Sequence, residues 1–458
     1  MATKLLDKLA VAADPAPPGG AALPLTFFDV PWIFTGPVER VFFYPYPHPV
    51  DQFTAALLPH LVSSLAAALS HFYPLLGRVR PCADGEGYEF CSADGDAVEL
   101  TVAESEDDFE ELAGDGPRDV ARLYSLVPRL PVPGDGGFAL AAVQVTVFAG
   151  RGIAVGVSIH HVACDDSSYM HFVKTWAAHC RLATAGREEE GVAVPPPPFL
   201  DRAVIADPDG LAARTLDEMR QLAASGPPPA PPPGPPPKLV IASFTLARGC
   251  IDKLKQRVAA AAAEDKHAAA AAGVHCSAFT VACAFAWACL ARAGAAACDQ
   301  DLAHLLFSVE CRHRLAPPVP QEYLGNCLRP CFVEVGARDL LAPDGVATAA
   351  AAIGASIRAL DVAGGVMAGA EGWFQKILAL VPRRPMSVGG SPRYGVYDTD
   401  FGLGRPSKVE LVSIDKTPGT VSLAEGTDGK RGIEVGVALP EAEMARFAEC
   451  FADGLLQL

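Results

Sequence analysis

Val143-Gln144-Val145-Thr146-Val147-Phe148-Ala149-Gly150-Arg151-Gly152-Ile153-Ala154-Val155-Gly156-Val157-Ser158-Ile159-His160-His161-Val162-Ala163-Cys164-Asp165 is the stretch on which the fold turns. Val143, Val145 and Val147 alternate along one face, and Ile153, Val155, Val157 and Ile159 do the same after a glycine-rich turn. Strict alternation across a short turn predicts a hairpin of two half-buried antiparallel strands. Asp165-Asp166-Ser167-Ser168 then supplies helix-capping chemistry, and Met170, Val173 and Trp176 continue with helical spacing. Upstream, Phe53, Leu57, Leu61 and Leu65 recur every four residues, which predicts a helix within Gln52–Leu69. Strands and helices intermixed, with antiparallel pairs, give an α/β or α+β class.

The chain has 458 residues, half of them apolar and 20% charged, so it can bury a large core. Its net charge of -16 argues against nucleic acid and anionic membranes as partners, because both attract positive surfaces. Thirteen cysteines contain no C-x-x-C pair and are odd in number, which reads as a reduced, cytoplasmic set rather than a disulfide framework. The first residues, MATKLLDKLAVAADPAP, carry Asp7 and Lys8 inside their apolar part and do not read as a secretory signal. His267–Ala291 lacks Asp, Glu, Lys and Arg, but His275, Ser277 and Thr280 interrupt it, so a buried core helix is expected rather than a membrane span.

The prolines are clustered. Pro195–Pro198 opens one loop, and Gly226–Pro237 is nearly all proline and is expected to form an extended polyproline II spacer. Residues 191–237 therefore read as a linker between a first domain, 1–190, and a second, 238–458. The alanine-rich stretch around Glu264–His267 reads as helix ends flanking a surface loop, and no fixed-period repeat is found.

Chemistry concentrates where the second hairpin strand ends. Histidine titrates near neutral pH, as a general base for a hydroxyl requires. His161 and Asp165 lie four apart in a turn that can bring the carboxylate back toward the imidazole. His160 and His161 point to opposite faces as strand neighbours, so a shared metal is disfavoured. Cys164 as an acylated nucleophile is a weaker reading, since nothing marks it as exposed and electropositive. G-x-S-x-G and G-x-x-x-x-G-K-[ST] motifs are absent. Two further clusters read as shaped loops: Tyr397-Asp398-Thr399-Asp400-Phe401-Gly402-Leu403-Gly404-Arg405-Pro406, and Cys311-Arg312-His313-Arg314 followed by Tyr323-Leu324-Gly325-Asn326-Cys327.

Taken together these motifs resemble the plant BAHD acyl-CoA-dependent acyltransferases along essentially the whole chain. The family's HxxxD falls on His161 and Asp165, and its DFGWG appears as Asp400-Phe401-Gly402-Leu403-Gly404. Leu25–Trp32, Val38–Tyr44 and Tyr323–Cys327 look like the branch that acylates anthocyanins and other phenolic glucosides. The resemblance implies two chloramphenicol acetyltransferase-like domains joined by a long crossover, with the second carrying the CoA site and the DFGLG loop. A channel between them would hold His161. The implied activity is transfer of a malonyl or hydroxycinnamoyl group from acyl-CoA, a co-substrate rather than a cofactor, to a sugar hydroxyl of a phenolic glycoside. A monomer without metal is implied. His161, Asp165 and Asp400 form the implied catalytic set, with Arg312, Gly402 and Gly404 as structural support. Within that set Asp165 would pair with Arg312, and Asp400 would order its loop away from the chemistry, although it is sometimes discussed as catalytic. Lys255 and Ser277, a helix N-cap, are the implied CoA contacts. Three departures stand out: Leu403 replaces the usual tryptophan, Asp166 replaces the usual glycine, and no cation follows Asp166 nearby to receive a malonyl carboxylate. An amine or free-alcohol acceptor, or an impaired member that binds a small phenolic ligand, are the alternative readings.

Overall fold

A computed structural model describes residues 3–17, 22–83, 85, 87–132, 137–185, 193–224, 238–264, 276–294, 301–361, 365–427 and 432–458. The polyproline run 226–237 and most of the alanine-rich loop lie outside the described residues.

The hairpin forms as expected. Ala141–Phe148 pairs antiparallel with Gly152–His160 at the centre of a six-stranded mixed sheet. In order, that sheet is Lys4–Val11, Val98–Glu104, Ala141–Phe148, Gly152–His160, Pro37–Pro45 and Lys408–Leu411. The strands are not half-buried, however: every residue of both is buried. The valine face packs under the helices Leu58–His71 and Asp166–Ala185, where Leu61, Leu65, Val173 and Trp176 share one core with Val143, Val155 and Val157. Apart from Phe148, the other face is lined by small or polar side chains, and chain segment 123–128 lies against it. Ser158 Oγ donates to Pro128 O at 2.7 Å and Gln144 Nε2 to Ser125 O at 2.7 Å. These hydroxyl and amide groups look solvent-facing in sequence but satisfy buried carbonyls instead.

The second sheet has seven strands: Leu328–Gly336, Leu302–Glu310, Met386–Gly389, Thr420–Glu425, Ile433–Pro440, Leu239–Leu246 and Arg118–Asp119. It packs with Arg248–Glu264, Ala278–Ala293, Gly345–Arg358 and Glu441–Leu456 around a separate core. Ala278–Ala293 is the expected buried helix, with Thr280 through Cys289 all inside.

Each half donates a strand to the other. Lys408–Leu411 extends the first sheet beside Pro37–Pro45, and Arg118–Asp119 extends the second beside Leu239–Leu246. A buried ion pair joins the two exchanged strands, Arg118 Nη2 to Glu410 Oε2 at 2.7 Å. Consequently the loop 400–404, assigned above to the second domain, packs on the first: Phe401 lies against Trp176 and Tyr44. The crossover is also more than a spacer. Within it, Leu211–Ala224 is a helix whose Leu216 and Met219 enter the first core.

Gly156 measures how tightly segment 123–128 is pressed onto the sheet. A Cβ there would stand 2.0 Å from Leu126 O, a backbone atom with little room to yield. Gly156→Ala is expected to lower unfolding stability by about 1–3 kcal/mol through overpacking, read from a urea denaturation midpoint.

Candidate active site at the domain interface

Two rigid elements present His161. It is the first residue beyond strand Gly152–His160, and its N–H donates to Gly36 O at 3.2 Å. Its carbonyl accepts from Asn326 Nδ2 at 2.9 Å, so the second domain holds the backbone of this residue. The imidazole stacks on the Trp32 indole, with centroids 3.7 Å apart and planes 5° from parallel. Nδ1 is enclosed by protein without a hydrogen-bond partner, and the residue as a whole is half-buried. Burial pushes the ring's pKa down, opposed by the Asp165 and Asp166 carboxylates. That burial favours the neutral form, as a base requires. His160 has the opposite fate. It is buried, its Nδ1 accepts the Val162 N–H, and burial pushes it down to about 4.

Asp165 does not turn toward the imidazole. Both of its oxygens are used by other groups. Oδ1 accepts from Ser168 N–H and Arg312 Nη2, both at 3.0 Å, and Oδ2 accepts from Arg312 Nη1 at 2.8 Å and Cys327 N–H at 3.0 Å. Asp165 thus begins the helix Asp166–Ala185 and binds it to the second domain, and its expected pairing with Arg312 is present. It is a positioning residue, which corrects its place in the catalytic set. Arg312 is fully enclosed, and its Nη2 also meets Ser168 Oγ and the carbonyls of Tyr323 and Gly325.

Asp400, placed by the resemblance in the catalytic set but as a loop-ordering residue, makes its contacts within its own loop and with one helix. Its Oδ1 accepts from the N–H groups of Gly402, Leu403 and Gly404 at 2.8, 3.0 and 2.8 Å, and its Oδ2 lies 3.5 Å from Arg181 Nη1. At the α-helical rise, Arg181 stands roughly 22 Å along its helix from Asp166. Asp400 therefore shapes a distant loop. Gly402 and Gly404 have φ of +88° and +81°, which strains any other residue there, and a Cβ on Gly402 would meet Thr184 Oγ1 at 2.2 Å. Leu403 is half-buried against the first core.

Lys255 and Ser277 both lie in the second domain. Ser277 caps Ala278–Ala293, accepting the Thr280 N–H at 3.0 Å, and the charge of half-buried Lys255 reaches the adjacent Cys276. The Cys164 thiol is buried and its pKa raised well above the ordinary value, so it is unsuited to nucleophilic attack. Among the described residues no group of three or more His, Cys, Asp or Glu is placed to hold a metal.

Several site residues escaped the sequence reading. Arg40 forks onto Asp166 at 2.7 and 3.1 Å and supplies the charge partner that the local motif lacks. A lone arginine within apolar Val38–Tyr44 was its signal, since buried arginines require carboxylates. Asp29 accepts from Thr26, Arg202 Nη1, Asn326 N–H and Asn326 Nδ2. It thereby ties the crossover and the 323–327 turn to the loop that carries Trp32.

A model of the Transferase family matches residues 2–453. The chain belongs to this family, the BAHD acyltransferases. It is an acyl-CoA-dependent acyltransferase. Among curated relatives, coumaroyl-CoA:anthocyanidin 3-O-glucoside-6''-O-coumaroyltransferase 2 of Arabidopsis thaliana is 34% identical over 461 residues, 96% of this chain and 95% of that one. Malonyl-coenzyme A:anthocyanin 3-O-glucoside-6''-O-malonyltransferase of Dahlia pinnata is 32% identical over 464 residues, 98% and 97% of the two chains. Among solved structures, vinorine synthase superposes with a TM-score of 0.67 at 20% identity, covering 97% of this chain and 96% of that one. The expected two-domain architecture is that of the family.

Two outcomes follow from this geometry. Arg312→Met strands the Asp165 carboxylate and two carbonyls in the interior, so a loss of about 3–5 kcal/mol is expected in chemical denaturation, together with a fall in activity. Because His160 titrates lower in the folded chain than unfolded, the unfolded state binds more protons between about pH 6.5 and about pH 4. Stability should fall as pH drops through that window, and His160→Phe should flatten this part of the profile of melting temperature against pH.

Proposed function

We propose that this acyltransferase moves a malonyl or hydroxycinnamoyl group from CoA to a sugar hydroxyl of a flavonoid, anthocyanin or other phenolic glucoside. The observation that carries the reading is a half-buried imidazole, its neutral form favoured, at the seam of two domains, held by both and without a competing nucleophile beside it. The curated relatives, which span nearly the full chain, are coumaroyl and malonyl transferases whose names specify anthocyanin or phenolic glucosides.

In this reading His161 Nε2 removes the proton of the sugar hydroxyl as its oxygen attacks the thioester carbonyl. The tetrahedral oxyanion collapses, the C–S bond breaks, and the imidazolium returns its proton to the departing CoA sulfur. Transfer is direct, with both substrates bound together and much of the rate supplied by orientation. Lys255 and the helix end at Ser277 receive the phosphates or pantetheine amides of CoA. Acyl-CoA serves as co-substrate with no resident cofactor, and the enzyme acts as a cytoplasmic monomer. The reduced-looking cysteine set and the acidic charge support that setting.

A donor screen with malonyl-CoA and p-coumaroyl-CoA against a panel of flavonoid glucosides, read by mass-shifted products, tests the reading. His161→Ala should lower turnover at least about 100-fold while the melting temperature stays near that of the wild type. Undiminished turnover in that variant would refute the assigned role.

A further inference from the structure

Eight large hydrophobic side chains are exposed among the described residues, and Phe34 is the one aromatic among them, at 55% exposure. Scattered exposed leucines and valines are ordinary on a soluble surface. Phe34 differs because it is not isolated. It stands edge-to-face against Tyr88 at 6.1 Å and Phe138 at 6.3 Å, and Phe138 in turn lies 5.3 Å from the His160 ring. Two residues before Phe34, Trp32 stacks on His161. One short segment therefore places one aromatic ring on the base and a second, exposed one at the surface. Two residues of chain span at most ~7 Å. The His161 N–H to Gly36 O bond holds the end of the segment against the strand terminus, so this spacing is anchored rather than loose.

We propose that Phe34, with Tyr88 and Phe138 behind it, is the platform on which the planar aromatic part of the acceptor stacks while its sugar hydroxyl reaches His161. The proposal rests on the glycoside-acceptor reading above and adds to it a residue that selects for an aromatic aglycone. The occupant follows from the chemistry of the surface. Stacking rings offer a flat, uncharged ligand both buried area and favourable quadrupole contacts.

The test compares acceptors within one enzyme. Phe34→Ala and Phe34→Tyr are assayed at fixed donor with an aryl glucoside and with methyl glucoside, and binding of a free flavonoid aglycone such as naringenin is titrated calorimetrically. The expected result is that Phe34→Ala lowers the ratio of kcat/KM for aryl over methyl glucoside at least tenfold and weakens naringenin at least fivefold. Phe34→Tyr should restore both. Equal losses on the two acceptors, or naringenin binding unchanged in Phe34→Ala, would overturn the proposal. If no glucoside turns over in the wild type, the function reading fails, yet the titration still decides whether the platform binds an aromatic ring.

Discussion

The buried pair between Asp165 and Arg312 is the constraint on which the active site depends. Both side chains are wholly enclosed, and two charges so placed are tolerated only when they are paired and hydrogen-bonded. Asp165 has both oxygens doubly engaged, and Arg312 has two carbonyls and a hydroxyl besides, although its buried Nε finds no hydrogen-bond partner. The partners come from different domains. Moving one domain against the other would break several charge-assisted bonds at once, and the turn 161–165 is therefore as rigid as the interface. The base owes its position to a salt bridge that it does not touch.

The same device recurs along the seam. Asp29 receives Arg202 from the crossover and both nitrogens of Asn326, whose amide also holds the His161 carbonyl. Arg118 and Glu410 lock the two exchanged strands, and Lys408 reaches Glu434 in the second sheet at 2.9 Å. Hydrophobic packing is non-directional and would accept many relative placements of two cores. Hydrogen-bonded ion pairs accept very few, because each requires its own geometry. The aliphatic cores give the domains their stability, and the polar seam sets their register. That division suits a protein whose reacting groups must meet between two bodies.

Asp166 shows why a local motif can mislead. Next to HxxxD its carboxylate looks like an unbalanced charge, but Arg40, 126 residues earlier, neutralises it with a bidentate fork. Asp400 shows the converse. Its motif sits in the same family pattern as HxxxD, yet its hydrogen bonds all stay within its own loop or run to the far end of a long helix.

Local order was legible without coordinates. Alternation located the hairpin, four-residue spacing located the helix carrying Leu61 and Leu65, and the motif resemblance paired Asp165 with Arg312. The hairpin and the helix follow from periodicity and short-range geometry, which neighbouring residues impose on one another, whereas the pair was implied by the resemblance alone. The burial of both hairpin faces, the helix inside the crossover, the strand exchange and the partners of Asp29 and Asp166 were decided only in three dimensions. Each depends on what a distant segment lays against a surface, and a polar residue reads the same in sequence whether water or a buried carbonyl accepts its hydrogen bond.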